Sequence, residues 1–533
     1  MARSGVAVPA PPGVVAPTPA QRAARPRRPG PVIGLAGLVV AALVLLTPGF
    51  LIFQAGQLGW AGLSHLLFRS LVAQLLWNTV RLAVAVTILA GGIGLGAAWC
   101  VERTRLPGRK FWAVVVVLPI AIPEFVVGYA WASVFRSLHG YLAAVLVMTL
   151  SLYPFVYLPV VAALRRLDPG QQEVAASLGM GAVTSFFRVT LRQLRPALIG
   201  GCLLVSLYLL ADYGAFEIVR YQTFTTTIFT ELNLGFDNAA ASALALVLVA
   251  LSMLFLVGEF AVVRRARYER VGGGAARQPR RVELGRAAWP VVAGFAVLAA
   301  LGVGVPGGIL VYWMVKGSST TMPSASILSA AVHTVVYAGG AAVLTTALAI
   351  PVSVLAVRRR TRLGMLLDRV AHLAQGLPGV VIGLTLVFFA LRYLPLLYQT
   401  SWLLVVAYAL LFLPLALVAV RAALMNASQR VEEAGRSLGA RPAKVFWRIT
   451  LPAIAPGLAA GFALVFLTTA TELTATLLLH PTGVETLATQ FWSYTSNLAF
   501  GAAAPYALAM VLVAGIPTFL LSRRIGAVSG VVS

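Results

Sequence analysis

Sixteen carboxylates serve 533 residues, so where each one stands limits the chemistry open to the chain. Asp212 and Glu472 sit in otherwise apolar stretches, 260 positions apart. An ionised carboxylate that faces lipid is costly. Each must therefore look into a bundle interior or a wet cavity. There it either lines a path for a polar solute or merely holds helices together by hydrogen bonding. Glu217, just beyond Asp212, suits the same path or a simple interfacial ion pair with Arg220. Glu124, in LPIAIPEFVVGY, is open to both readings as well.

Enzymatic chemistry finds no support. No loop holds a clustered nucleophile, a metal-ligand set or an acid–base pair. His333 and His372 are isolated and read as packing residues. Cys100 and Cys202 lie in or at the end of apolar runs, with neither a disulfide framework nor metal spacing. Gly302–Gly307 (GVGVPG) matches G-x-G-x-x-G, but it lies inside an apolar run with no preceding strand. It is not a dinucleotide site. No G-x-x-x-x-G-K-[ST] occurs, so no cofactor is expected and any ATP must be split by a separate subunit.

A second kind of chemistry is recognition. Residues 173–201 (EVAASLGMGAVTSFFRVTLRQLRPALIGG) align without a gap to 433–461 (EAGRSLGARPAKVFWRITLPAIAPGLAAG), again at an offset of 260. Polar positions repeat as faithfully as apolar ones: Glu173/Glu433, Ser177/Ser437, Leu178/Leu438, Gly179/Gly439, Arg188/Arg448 and Thr190/Thr450. Asp168-Pro169 and Ser428 read as helix starts. Gly179 and Gly439 suit a left-handed terminus. The small residues Ala175, Ala176, Ala434 and Gly435 allow another backbone to approach, and Pro196 and Pro456 are expected to open the helices that follow. Ordinary connectors would not need the polar repetition, so both stretches are read as docking elements.

The elements that must position these residues are membrane helices. The chain is 59% apolar and 11% charged, with a mean hydropathy of +0.89; a soluble protein carries about a quarter charged residues. Apolar runs long enough to span a bilayer cover 33–53, 79–100, 112–133, 140–163, 197–217, 239–263, 288–313, 332–357, 371–391, 401–421, 454–479 and 501–522. The pairs Gly92/Gly96 and Gly379/Gly383 read as close helix contacts. Residues 1–32 form a disordered Pro-, Ala- and Arg-rich tail. A basic region before an apolar run also fits a signal peptide, but the run's length favours an uncleaved anchor. The expected units are a first membrane domain over 33–265, a linker over 266–287 and a second domain over 288–533. With the N-terminus inside, 35 of the 41 Lys and Arg residues fall on that side. Both termini and both repeats are thus expected in the cytoplasm. This asymmetry accounts for the net charge of +25 without nucleic acid. The expected fold class is all-α and polytopic, about twelve transmembrane helices in two parallel six-helix repeats with a path between them.

The repeated pattern E-x-x-x-x-L-G, then an aromatic, Arg, Thr-Leu and Pro, resembles the EAA loop of ABC-importer permeases. Val174 stands for the first Ala, and Arg192 for the Pro that Pro452 supplies in the second copy. The resemblance implies a type I importer permease fold. It also implies two ATPase subunits docking at Glu173, Ala175, Leu178, Gly179, Glu433, Ala434, Leu438 and Gly439. An extracytoplasmic solute-binding protein, surrounding lipid and a bacterial inner (plasma) membrane location follow too. Leu210–Gly214 with Arg220–Thr226, and Thr471–Pro481, resemble the fused permeases of ferric-iron importers, with Thr474 where that family usually has Pro. Asp212, Glu217 and Glu472 would then belong to the pathway or gate. Permeases for thiamine, aminoethylphosphonate or polyamine are related alternatives, and an ion-coupled secondary transporter also fits twelve helices in two halves.

Overall fold

A computed structural model describes residues 31–135, 137–167, 170–232, 238–265, 281–317, 324–359 and 361–528. Most of the tail, linker positions 266–280, Asp168 and Pro169 lie outside them. A backbone inside hydrocarbon must satisfy its own N–H and C=O groups, and this one does so with helices. Among the described residues nine are long and apolar enough to cross a membrane: Ile33–Gly56, Ser70–Arg103, Gly140–Arg166, Phe186–Ala211, Asn238–Gly258, Gly285–Lys316, Ala325–Arg359, Ser401–Asn426 and Pro442–Ala470. Two more candidates are bent pairs, Arg109–Ala121 with Glu124–Val134 at 88° and Arg362–Gly376 with Gly379–Tyr393 at 105°. The last expected span starts as the apolar helix Phe500–Gly515 and stays helical to Val528. The all-α, polytopic expectation is met.

Continuity is where the expected spans need correcting. The stretches 112–133 and 371–391 are broken just ahead of the carboxylate or glycine that follows a proline. A residue preceding proline is pushed out of the helical region, and Ile122 and Leu377 are indeed extended, with φ/ψ of −106°/115° and −103°/106°. The stretches 197–217 and 454–479 stop at Ala211 and Ala470, and resume as the short helices Gly214–Ile218 and Thr474–Leu479. Pro196 and Pro456 do not open their helices but lie inside Leu191–Ala211 and Leu451–Ala470. Each stands in the second turn of a helix that follows a π-helical turn, Phe186–Thr190 or Phe446–Thr450, and removes one backbone hydrogen bond there.

Small residues set the helix spacing, though not all of the expected ones. Gly92 and Gly96 face open space. The close contact is made two residues away. A Cβ on Gly94 would stand 2.9 Å from the Tyr153 carbonyl oxygen, and one on Gly201 2.8 Å from the Val156 Cα. Gly94 and Gly201 thus clamp the helix Pro154–Arg166 from two sides. The reading of Gly383 holds, since its Cβ would stand 2.6 Å from Leu478 Cδ1.

Two large cores result, and neither belongs to one half of the sequence. Val40, Val44 and Leu51 of the first helix are buried with Val380, Leu384 and Leu413. Phe295 and Leu310, from the first helix of the second half, are buried with Val126, Tyr129 and Trp131. Each half lends its first helix to the other.

Candidate functional site

Four helix breaks meet at the centre of the bundle: Ile122–Glu124, Asp212–Gly214, Leu377–Gly379 and Thr471–Thr474. Gly214 sits where a Cβ would lie 2.7 Å from Leu473 Cδ2 and 2.9 Å from Phe125 Cβ. Gly379, at another of the breaks, is as confined, for its Cβ would lie 3.0 Å from Glu472 Oε1. Larger residues would push these breaks apart.

Three half-buried carboxylates stand at these breaks, Glu124, Asp212 and Glu472, brought together where Gly214, two residues after Asp212, meets both Phe125, next to Glu124, and Leu473, next to Glu472. Asp212 Oδ1 accepts from the Ala215 N–H at 3.0 Å, and Glu472 Oε1 from the Ala475 N–H at 2.7 Å. Each carboxylate thus caps the short helix after its own break with one oxygen, in the way Asp and Glu satisfy orphan helix donors. The interhelical hydrogen bond considered as their bland role is replaced by a local one. Among the described residues no three Asp, Glu, His or Cys groups are arranged to hold a metal ion.

Beside Glu472 lies a cavity of about 10 Å³, lined also by Thr334, Tyr337, Tyr408 and Thr469, which is room for about one water. Thr469 is buried, and its Oγ1 has no partner among the described residues. Tyr408 is anchored by its hydroxyl to Thr476 Oγ1 at 2.6 Å. On the other side Tyr213 stacks on Phe229, with ring centroids 4.3 Å apart, and leans on Trp492. Glu217 is exposed. Its expected ion pair with Arg220 is not formed: the two are joined only by the Arg220 N–H donating to the Glu217 carbonyl at 3.1 Å. His333 and His372 each bond a carbonyl of the chain, that of Glu485 at 2.9 Å and of Asp368 at 2.8 Å.

The repeated stretches fold alike. The first helix is Gly170–Ser177 and the second Gln429–Ser437. Both end on a left-handed glycine, Gly179 at φ 77° and Gly439 at φ 81°. Met180 N–H donates to the Ala175 carbonyl at 3.0 Å and Ala440 N–H to that of Gly435 at 3.1 Å, the bond that closes a glycine-terminated helix. Ser428 occupies the N-cap position of the second helix but makes no side-chain cap bond.

The docking set divides by exposure. Leu178 and Leu438 project outward, 71% and 87% exposed. Gly179, Glu433, Ala434 and Gly439 are exposed too, while the Glu173 side chain lies outside the described residues. Ala175 instead faces inward at 3% exposure, and a Cβ on its counterpart Gly435 would stand 2.7 Å from Ile449 Cδ1. Smallness at this position seats the helix on its own chain. Two residues that sequence reasoning passed over carry the second seat. Glu432 is buried and pairs with Arg358 at 2.9 Å and Arg436 at 3.3 Å. Its neighbour Glu433 drew the attention because only Glu433 repeats. Spacing gave no signal for Glu432, because the apolar positions of this helix, Val431, Ala434 and Leu438, are the exposed ones.

Comparison with known proteins gives the following likenesses. Residues 90–268 and 349–526 each match the profile of the family described as binding-protein-dependent transport system inner membrane component. The Fe(3+)-transport system permease protein FbpB 2 of Haemophilus influenzae is 39% identical over 501 residues, 93% of this chain and 99% of that protein. The sulfate transport system permease protein CysT of Salmonella typhimurium is 31% identical over 245 residues, covering 42% of this chain and 88% of that one. The ferric transport system permease protein FbpB of Actinobacillus pleuropneumoniae is 22% identical over 482 residues, 81% of this chain and 69% of its own.

Proposed function

The chain belongs to the family of inner membrane components of binding-protein-dependent transport systems, and from that premise we propose that it is the permease subunit of an ABC importer for ferric iron. The observation that carries the substrate reading is the convergence of Glu124, Asp212 and Glu472 where the four helix breaks meet. Three carboxylates attract a highly charged cation and repel sulfate, the cargo named for the half-length relatives. Iron is the cargo named for the relative that matches nearly end to end.

In this reading 33–265 and 288–533 are the two permease units, and 266–287 is the linker between them. Both termini and both repeated loops face the cytoplasm, with the chain in the plasma membrane. A solute-binding protein delivers cargo at the opposite face. One ATPase subunit docks on each repeated loop through Leu178 and Gly179, or through Glu433, Ala434, Leu438 and Gly439, with Glu173 at the matching first-copy position. The exposed leucine at the tip of a polar helix in both copies is what such a partner would cover. Asp212 and Glu472 line the path, and the exposed Glu217 stands beside it.

Reconstitution tests the reading. Permease, ATPase and binding protein are assembled in vesicles, and uptake of radiolabelled ferric iron is compared with that of sulfate. ATP-dependent iron uptake with no sulfate uptake is expected. Sulfate uptake, or iron uptake that persists without ATP, would refute it.

A further inference from the structure

The two repeated loops are alike in sequence but are not fastened to the bundle alike. In the second, Glu432 sits under the docking helix at 4% exposure and faces Arg358, whose side chain is only 12% exposed. Arg358 also donates to the Ala427 carbonyl at 2.9 Å, which pins the residue just before the loop. The Arg358 contact is held by charge and burial rather than by a hydrogen bond, since Glu432 Oε1 has no hydrogen-bond partner among the described residues, while Glu432 Oε2 accepts from Arg436 Nη2 at 3.3 Å. The cavity of about 370 Å³ beside it is lined by Val431, Glu432 and Arg448, so the helix rests on this contact together with Gly435 against Ile449.

In the first half the same register holds a different pair. Arg103 corresponds to Arg358 through the offset that aligns Thr79 with Thr334. It is buried at 3% and donates to the Leu164 carbonyl at 2.8 Å; it forms no ion pair among the described residues, whereas its neighbour Glu102 pairs with Arg165, just ahead of the first loop, at 2.7 Å. The position matching Glu432 is the uncharged Gln172.

Arg358 also lies at one end of a lever. The helix Ser324–Val354 runs on through the π-helical turn Leu355–Arg359. Toward its other end, Thr334 and Tyr337 line the small cavity beside Glu472. At a rise of about 1.5 Å per residue, roughly 36 Å of helix separates Thr334 from Arg358.

We infer that Glu432 is a positioning residue whose pair with Arg358 makes the second repeated loop a tight coupling point, so that a push on that loop moves the helix Ser324–Val354 at Glu472. The inference rests on the docking reading above. A loop tied by an ion pair to the helix that lines the cavity beside Glu472 passes its displacement to that helix.

The test uses the full complex in vesicles, with ATP hydrolysis and uptake measured together. Glu432→Gln and Arg358→Gln should each retain the ATPase, since Leu438, Gly439 and Glu433 are untouched. The uptake obtained per ATP should drop about tenfold, within the usual range of a coupling free energy. The charge-exchanged variant, Glu432→Arg with Arg358→Glu, should recover most of the ratio, as it must if the pairing and not either side chain alone sets it; a merely structural role would leave uptake per ATP unchanged in the single variants. An unchanged ratio in both single variants overturns the inference, as does a double variant that folds yet fails to recover. Loss of the ATPase from Glu432→Gln overturns it too, by placing Glu432 in the docking surface. Failure of the docking reading itself is recognised separately, by ATPase retention when Gly439 is replaced.

Discussion

Replacing Gly439 by Asp separates docking from folding more cleanly than any other change in the loops. Gly439 has φ 81°, a conformation that costs an ordinary L-residue about 1–2 kcal/mol. A carboxylate at a helix C-terminus adds about 0.3–1 kcal/mol against the helix dipole. Nothing lies within 4 Å of the new Cβ, so there is no steric penalty. The total, about 1–3 kcal/mol, falls on an exposed helix end that stays seated by Glu432 and by Gly435 against Ile449. The membrane cores contain neither Gly439 nor its neighbours, so insertion and thermal midpoint should hardly change. A partner resting on Leu438 and Gly439, however, meets a new side chain and a buried charge. The expected result is loss of co-purifying ATPase and of uptake, with the permease still inserted. Gly439→Ala carries the backbone cost without the charge and should keep part of the binding. Gly179→Asp should act likewise at the first loop, and more mildly, since that copy departs further from the family pattern. If both aspartate variants hold the ATPase and transport at wild-type rates, the loops are connectors and the docking argument fails.

Other outcomes follow from the same geometry. Asp212→Asn with Glu472→Gln keeps an oxygen to accept from Ala215 and Ala475, so the folded protein should survive. Uptake should fall at least tenfold, because a single charge contact at 4 Å and an effective dielectric of 20 is worth about 4 kcal/mol; unchanged uptake kinetics would reduce the pair to helix caps. Gly94→Val drives side-chain atoms against the Tyr153 carbonyl and Tyr157 N–H and should cost about 1–3 kcal/mol or more, seen as a lowered thermal midpoint in detergent, whereas Gly92→Val, facing open space, should not. Reporter fusions after residues 110, 180, 275, 360, 440 and 530 should all read cytoplasmic, given that 35 of 41 basic residues lie on that side; an outside signal at 180 or 440 would refute the orientation.

How much of this was legible depends on the range of the interaction. Composition and run length disclose the helices, because a bilayer permits little else. The 260-residue offset discloses the paired loops and the paired carboxylates, since both halves repeat the same local solution. Breaks inside apolar runs were hidden from hydropathy, which reads Ile122–Pro123 and Leu377–Pro378 as more of the same oil; the proline rule alone marks them. Glycine spacing failed at Gly92 and Gly96 because G-x-x-x-G names a face without saying whether a neighbour covers it, and here Gly94 is the covered one. The exchange of first helices has no local signature at all: Val40 and Phe295 are lipid-compatible residues whichever core receives them.

That exchange decides how the paired breaks are held. Because Val40, Val44 and Leu51 are buried against Val380 and Leu384, the first helix grips the segment that follows the Leu377–Gly379 break, and so the wall beside Glu472. Phe295 and Leu310 share a core with Val126, Tyr129 and Trp131, and so grip the segment that carries Glu124. Neither half can therefore move its break without moving a helix that belongs to the other. The proposed path, lined by carboxylates from both halves, needs that mutual restraint, since like charges left to separate freely would do so.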